Sequence, residues 1–207
     1  MLTSAGKYMA RYTGPKNRLS RREEVDLFGK GNKLRRAAQP PGQHGPKRAR
    51  RQSDYGIQLR EKQKTKRLYG IMERQFHKYF EKAAQFRGTT GEKLLQLLET
   101  RLDNVVYRLG FAQTRAMARQ LTSHGHILVD NKRVNIPSYQ VGSSQTVSLD
   151  ATSQAIPSVR VRLEEQDVVL PGWLTRQAAM GQIIHLPARS EIDSPVNEQL
   201  IVEFYSR

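Results

Sequence analysis

Arg115 and Arg119 stand one helical turn apart, so both side chains leave the same face of any helix that contains them. Gln120, Ser123 and His124 continue toward the end of that predicted helix, which runs from about Thr114 to Ser123 and is closed by Gly125. The apolar period then switches from helical to two. Ile127 and Val129 alternate with polar neighbours, and the cluster Asp130-Asn131-Lys132 turns the chain toward Val134. This predicts a hairpin with Asn131, Lys132 and Arg133 at its tip. A cationic helix face beside a cationic hairpin edge forms an L-shaped groove. Double-helical RNA is recognised largely by shape, through phosphate and 2′-hydroxyl contacts that Arg, Lys, Ser, Asn and Gln supply.

Other chemistries find little support. The five histidines are His44, His77, His124, His126 and His185, and no acidic cluster accompanies them as a metal site would require. With no cysteine in the chain, disulfides and thiolate metal sites are excluded. Gly29-Lys30-Gly31 completes no phosphate-loop pattern, and no nucleophile is paired with a base. The expectation is a non-enzyme with no cofactor, no metal and no catalytic residue.

Charge supports a polyanion as partner. Of the formal net charge of +16, +14 lies in residues 1–70, which hold 19 Lys/Arg against five Asp/Glu. A strongly cationic third joined to a nearly neutral remainder implies a dedicated surface, and phosphate neutralisation drives binding by releasing counterions. Residues 1–12 lack the apolar stretch of a secretory signal, and no apolar run approaches a membrane span. The expected setting is cytosolic, or an organelle matrix after processing, with no membrane partner.

Three regions must position these groups. Residues 1–52 are rich in Pro, Gly and cations, which predicts an extended basic segment with few core residues. It reads either as a disordered tail or as an extension that folds onto its ligand, and Tyr8, Tyr12, Val25, Leu27 and Phe28 as anchors favour the second. Residues 53–98 form a helical domain, completed by about 190–207. Ser53-Asp54 starts its first helix and Gly70 stops it. Arg60, Lys64 and Arg67 share one face, with Lys62 and Lys66 one step around, a density that repels itself unless an anion lies against it. A second helix over about 71–86 puts Phe76, Phe80, Ala83 and Ala84 on one side, and Thr89 with Glu92 matches a capping box. Leu94 to Leu109 continue in helical spacing to Gly110. Residues 99–189 then form an α+β module with a strand-rich extension. Its alternation continues through Val134 and Ile136, Tyr139 and Val141, and Val147 and Leu149. The fold class expected is α+β, with helices packed on a small antiparallel sheet.

Several ordered segments also carry a resemblance. Ala10-Arg11-Tyr12-x-Gly14-Pro15-Lys16, Pro41-Gly42-Gln43-His44-Gly45, Ser53-Asp54-Tyr55-Gly56, Arg101-Leu102-Asp103-Asn104-Val105-Val106-Tyr107-Arg108, Thr114-Arg115-x-x-Ala118-Arg119-Gln120 and Asn197-Glu198-x-Leu200-Ile201-Val202-Glu203-Phe204-Tyr205 resemble the family of the bacterial-type small-subunit ribosomal protein number four. The resemblance covers nearly the whole chain. It implies a structural protein that binds a multi-helix junction in the 5′ domain of small-subunit rRNA and nucleates assembly of the subunit body. It further implies a place beside the channel through which mRNA enters, an influence on decoding accuracy, and neighbouring ribosomal proteins number five, three and twelve. Some members repress their own mRNA. Many carry four zinc-binding cysteines, so this chain corresponds to the zinc-free form. Met9-Ala10-Arg11-Tyr12 resembles the family's usual start, which makes Met1–Tyr8 either an extension or an upstream initiation choice.

The RNA-facing residues expected in the first two regions are Arg11, Tyr12, Lys16, Arg18, Arg21, Arg22, Lys47, Arg48, Arg50, Arg51, Tyr55, Arg60, Lys62, Lys64, Lys66, Arg67 and Tyr69. Those in the module are Arg101, Asn104, Arg108, Thr114, Arg115, Arg119, Gln120, Ser123, His124, Asn131, Lys132, Arg133 and Ser138. By the resemblance, Lys47, Arg48, Arg50 and Arg51 lie on the mRNA side. Two rival functions are an RNA-modifying enzyme that uses the module for targeting and a DNA-compacting protein. The first needs a catalytic constellation that residues 1–98 lack. The second does not need the helix–hairpin signature.

Overall fold

Two separate hydrophobic cores organise the chain, and the polypeptide passes from one to the other between Leu98 and Leu102 and back between Ile183 and Ile192. The computed structural model describes residues 12–31, 39–43, 52–165 and 169–206. The fold class is α+β: among these residues are nine α-helices and one antiparallel sheet of five strands.

The first core is helical. Helix α1 spans Lys16–Glu23, α2 Asp54–Leu68, α3 Glu73–Ala84 and α4 Thr90–Glu99, and α9 (Glu198–Tyr205) closes the group by packing on α2 and α4. The Ser53 hydroxyl accepts from the Gly56 amide at 3.3 Å and so satisfies one of the open N–H groups at the start of α2. Gly70, at φ +65°, turns the chain out of α2 in a left-handed conformation that suits glycine. Phe76, Tyr79 and Ala83 form the buried face of α3, while Ala84, expected there, is exposed. Leu94, Leu95 and Leu98 of α4 and Ile201 of α9 complete the core. The Tyr205 ring stacks on Phe80 with centroids 4.5 Å apart. Thr89 precedes α4 but makes no side-chain cap, so the expected capping box is not formed.

The second core lies between helices and the sheet. Helix α5 spans Leu102–Arg108 and α6 Arg115–Ser123. The strands are β1 (Ile127–Val129), β2 (Lys132–Arg133), β3 (Thr146–Leu149), β4 (Leu174–Gln177) and β5 (Met180–Ile183), in the order β2-β1-β3-β5-β4. Asp130 and Asn131, at φ 48° and 63°, turn β1 into β2. Two consecutive positive φ angles give a turn of the hand that matches strand twist. Short helices α7 (Ala151–Gln154) and α8 (Pro157–Glu164) connect β3 to β4, with Pro157 in the first turn of α8. Trp173 is buried with Phe111, Leu109 and Ile183.

Four further expectations need correction. Residues 16–23 are helical rather than extended, because Pro15 sits at the helix start, where a missing N–H costs nothing. The chain after it folds onto the first core, burying Leu27 and half-burying Phe28. The apolar run from Leu94 to Leu109 is two helices. Arg101 adopts an extended conformation (φ −64°, ψ 137°), bridges Gln140 and frees the Leu102 amide to donate to the Tyr139 carbonyl at 2.8 Å. Residues 134–141 form no strand beyond that bridge, with Pro137 lacking a ladder donor. Pro157–Glu164, within the residues 99–189 expected to end in a strand-rich extension, form helix α8.

Gly181 of β5 lies directly under α5, where an added Cβ would stand 2.4 Å from Leu109 Cδ2. Gly181→Ala should therefore cost about 1–3 kcal/mol by overpacking. A lower urea midpoint at unchanged slope would show this, and an unchanged midpoint would mean that Leu109 swings aside.

Candidate nucleic-acid interface

The cationic face of α2 meets carboxylates of the protein itself. Arg60 and Arg67 both contact Glu23 of α1, Lys64 pairs with Glu61 at 2.8 Å, and Lys62 and Lys66 reach Glu73 of α3 at 2.8 and 2.9 Å. Lys62 also lies over the Phe204 ring at 4.3 Å. The anion that this density of cations demands is thus supplied within the fold. Burial pushes the Glu23 carboxyl up in spite of Arg60 and Arg67. Burial likewise raises Glu73, but hydrogen bonds from Lys62, Lys66 and Tyr205 outweigh it and bring that carboxyl down to about 2.

A second set of ionic contacts joins the two cores. Glu99, at the end of α4, is 1% exposed and accepts four hydrogen bonds from three side chains. Tyr69 Oη donates at 2.7 Å, Asn104 Nδ2 at 2.6 Å, and Arg108 Nη2 and Nε at 2.8 and 3.0 Å. Burial would raise the Glu99 carboxyl, but Arg108 and then Arg115 and Tyr69 hold it below its ordinary value. Burial pushes the Tyr69 hydroxyl well up, so it stays a donor. Beside this cluster, Arg101 is fully buried. Its Nε and Nη2 donate to Asp103 at 3.0 and 2.7 Å, and Nη1 donates to Tyr79 Oη at 2.8 Å. Helix α6 is fastened to the same groups. Arg115 Nε donates to Asn104 Oδ1 at 2.9 Å, with its guanidinium over Tyr107 at 4.5 Å and Tyr69 at 5.2 Å. Arg119 Nη1 donates to Asp103 Oδ2 at 3.3 Å.

Several residues expected to face RNA are therefore placed otherwise. Arg101, Asn104, Tyr69 and Lys62 are buried, and Arg108 is largely so, each with its polar atoms held inside the protein. Arg115 and Arg119 do share a face of α6, but that face turns to Asn104 and Asp103. Thr114 caps α6 by accepting from the Met117 amide, and Ser138 is half-buried. Arg21 donates to the carbonyls of Gln39 and Pro40, and Lys16 lies over the Phe28 ring. Arg11, Lys47, Arg48, Arg50 and Arg51 lie outside the described residues.

What remains outward is brought together by α6 and the β1–β2 hairpin: Gln120, Ser123, His124, Asn131, Lys132 and Arg133 are all exposed. Arg133 also reaches Asp150 at 3.2 Å with its side chain 63% exposed. In the first two regions Tyr12, Arg18, Arg22 and Tyr55 are exposed. Glu99 was not among the sequence candidates. Its signal was its position, four residues after Leu95 and one after Leu98, on the apolar face of α4.

Comparison with known proteins now bears on this arrangement. Residues 11–99 match the model of the ribosomal protein S4/S9 N-terminal domain, and residues 100–147 match that of the S4 domain. The two matches meet within the break between α4 and α5. Small ribosomal subunit protein uS4 of Geobacillus sp. (strain WCH70) is 53% identical over 201 residues, covering 96% of this chain and 100% of the relative. The protein of the same name from Dictyoglomus turgidum is 54% identical over 208 residues, with the same coverage.

The chain belongs to the uS4 family.

As a member of that family it is a structural, RNA-binding ribosomal protein and not an enzyme. A third relative, uS4A of Symbiobacterium thermophilum, is 51% identical over 208 residues and again aligns over its full length. Among the described residues no helix is long and apolar enough to cross a membrane.

The depressed Glu73 carboxyl has a pH consequence. With 4.5 as the ordinary value and about 2 in the folded protein, the unfolded chain takes up this proton first as pH falls. The stabilisation is complete above pH 4.5 and is lost progressively toward pH 2. Glu73→Gln should shrink the drop in thermal midpoint across that interval, and an unchanged drop would show that Glu73 contributes nothing to acid stability.

Proposed function

We propose that the protein binds small-subunit rRNA at a multi-helix junction of the 5′ domain and nucleates assembly of the subunit body. The observation that carries this reading is the rigid mounting of the α6–hairpin face. Arg115 and Arg119 fix α6 to buried Asn104 and Asp103, so Gln120, Ser123, His124, Asn131, Lys132 and Arg133 are presented in one geometry. A preformed polar surface suits RNA recognised by shape, and it costs little ordering on binding. Arg18 and Arg22 on α1 add phosphate neutralisation from the other core. Two faces on two cores hold several RNA helices at a fixed angle, which is how a protein without catalysis can organise a junction.

In the cytoplasmic ribosome the basic residues 47–51 border the channel through which mRNA enters and contribute to decoding accuracy. The neighbours on that side are small-subunit proteins number five, three and twelve. Repression of the protein's own mRNA uses the same junction-reading face. These assignments rest on the relationship to the uS4 relatives, whose names place them in the small ribosomal subunit.

Titration at two salt concentrations of a 5′-domain rRNA fragment against duplex DNA of similar length tests the central assignment. Binding to the junction should survive the higher salt while DNA binding collapses. Equal affinities with equal salt slopes would identify a non-specific polyanion binder of the DNA-compacting kind instead.

A further inference from the structure

The cations of α3 differ from those of α2 in one respect. Arg74, Lys78 and Lys82 are exposed. Among the described residues no hydrogen bond, ion pair or ring contact engages any of them, whereas every cation from Arg60 to Arg67 has a carboxylate. At 3.6 residues per turn the three positions fall within about 80° of arc and advance about 6 Å at each step. They therefore form a single slanting row on the solvent side, away from buried Phe76, Tyr79 and Ala83. The acidic residues of the helix stand to one side of the row: Glu73 holds Lys62 and Lys66, and Glu81, three residues after Lys78, has His77 Nδ1 at 3.2 Å. Arg87, also exposed and without a partner among the described residues, follows the helix end. Like charges at i, i+4 destabilise a helix on their own, and here no carboxylate among the described residues forms an ion pair with any of the three.

Resting on the reading that the protein binds rRNA, we propose that this row is a further phosphate-binding surface, which takes consecutive backbone phosphates of one rRNA strand. The occupant follows from charge complementarity. A row of point charges at regular steps matches a periodic polyanion, and no aromatic or apolar residue interrupts it to suggest an apolar partner. The row is also fixed in relation to the module. Tyr79, on the buried side of α3, accepts from buried Arg101, and Arg101 grips Asp103, to which Arg119 of α6 is bonded. The α3 row and the α6–hairpin face are thus two rigidly related surfaces, and one folded RNA can engage both.

The test is the salt dependence of binding to the 5′-domain rRNA fragment for the full chain and for the triple variant Arg74→Gln/Lys78→Gln/Lys82→Gln. Each phosphate contact contributes about 0.7–0.9 to the slope of log K against log salt. The triple variant should lower the slope by about 2–3 and weaken low-salt binding at least tenfold, with a thermal midpoint no lower than the parent's, because no internal contact is lost and the like-charge repulsion is relieved. Lys78→Arg/Lys82→Arg, which keeps the charges, should retain the parent slope. An unchanged slope in the triple variant, with the parent still preferring rRNA to duplex DNA, would overturn this proposal and leave the broader function standing. Loss of binding to an isolated small-subunit protein, with rRNA binding intact, would overturn it in favour of an acidic protein partner. A parent chain that fails to prefer rRNA would instead sink the reading on which it rests.

Discussion

The buried carboxylates of Glu99 and Asp103 are the constraint on which the rest of the molecule depends. They stand where the chain leaves one core for the other, and each is held by groups from both sides. Glu99 of α4 takes Tyr69 from the first core and Asn104 and Arg108 from α5. Asp103 takes Arg101 and Arg119, while Arg101 reaches back to Tyr79 of α3. An ion taken out of water costs several kcal/mol, which the attraction of its partner recovers only when the geometry is good and the remaining atoms are bonded. Removing one partner from such a cluster costs about 3–5 kcal/mol, while the intact cluster adds little net stability. Its value is directional. Apolar surfaces between two cores could slide, but a carboxylate with four donors fixes one relative orientation.

That constraint also explains how the cations are divided. On α2 five cations crowd into eight residues, Arg60 to Arg67, and around α5 fewer cations are drawn into the interior. Dense cations destabilise a free helix, and the fold resolves this by setting Glu23, Glu61, Glu73, Glu99 and Asp103 against them. Cations used in this way build the scaffold. Those left to meet a polyanion keep exposed side chains, as do Arg18 and Arg22 on α1, Arg74, Lys78 and Lys82 on α3, and Lys132 and Arg133 on the hairpin. Local density of charge is therefore a poor guide to availability, because it ignores carboxylates that are distant in sequence and adjacent in space.

Much of the fold was legible in the sequence for local reasons. Ser53 and Gly70 bound α2, Gly125 ends the turn after α6, and the switch from helical to alternating period places the hairpin at Ile127. The α+β class and the outward hairpin tip follow from those signals. The failures share a cause. Helical spacing runs without interruption from Leu94 to Leu109, and only a tertiary partner, the segment around Tyr139 and Gln140, pulls Arg101 out of it. That same extraction buries Arg101 and turns an expected RNA contact into an internal tie. Likewise α1 is hidden by its Pro- and Gly-rich surroundings, yet Glu23 and Leu27 anchor it to the first core. Arg115 and Arg119 were placed correctly on one face of α6, but periodicity does not say whether a face meets solvent or a buried carboxylate.

The central claim is that the two cores are held in one orientation before any RNA is bound. The chain has no cysteine, so a pair can be introduced cleanly at exposed positions on each side, Gln85→Cys at the end of α3 and Thr175→Cys on β4. Pulsed electron–electron resonance between spin labels at these sites would measure the spread of their separation in the free protein. A single narrow distribution, unchanged by the 5′-domain rRNA fragment and broadened by Glu99→Gln in the folded variant, is the result the account predicts. A broad distribution in the free protein that narrows only when RNA is added would contradict it, because the orientation would then come from the RNA and not from the buried carboxylates.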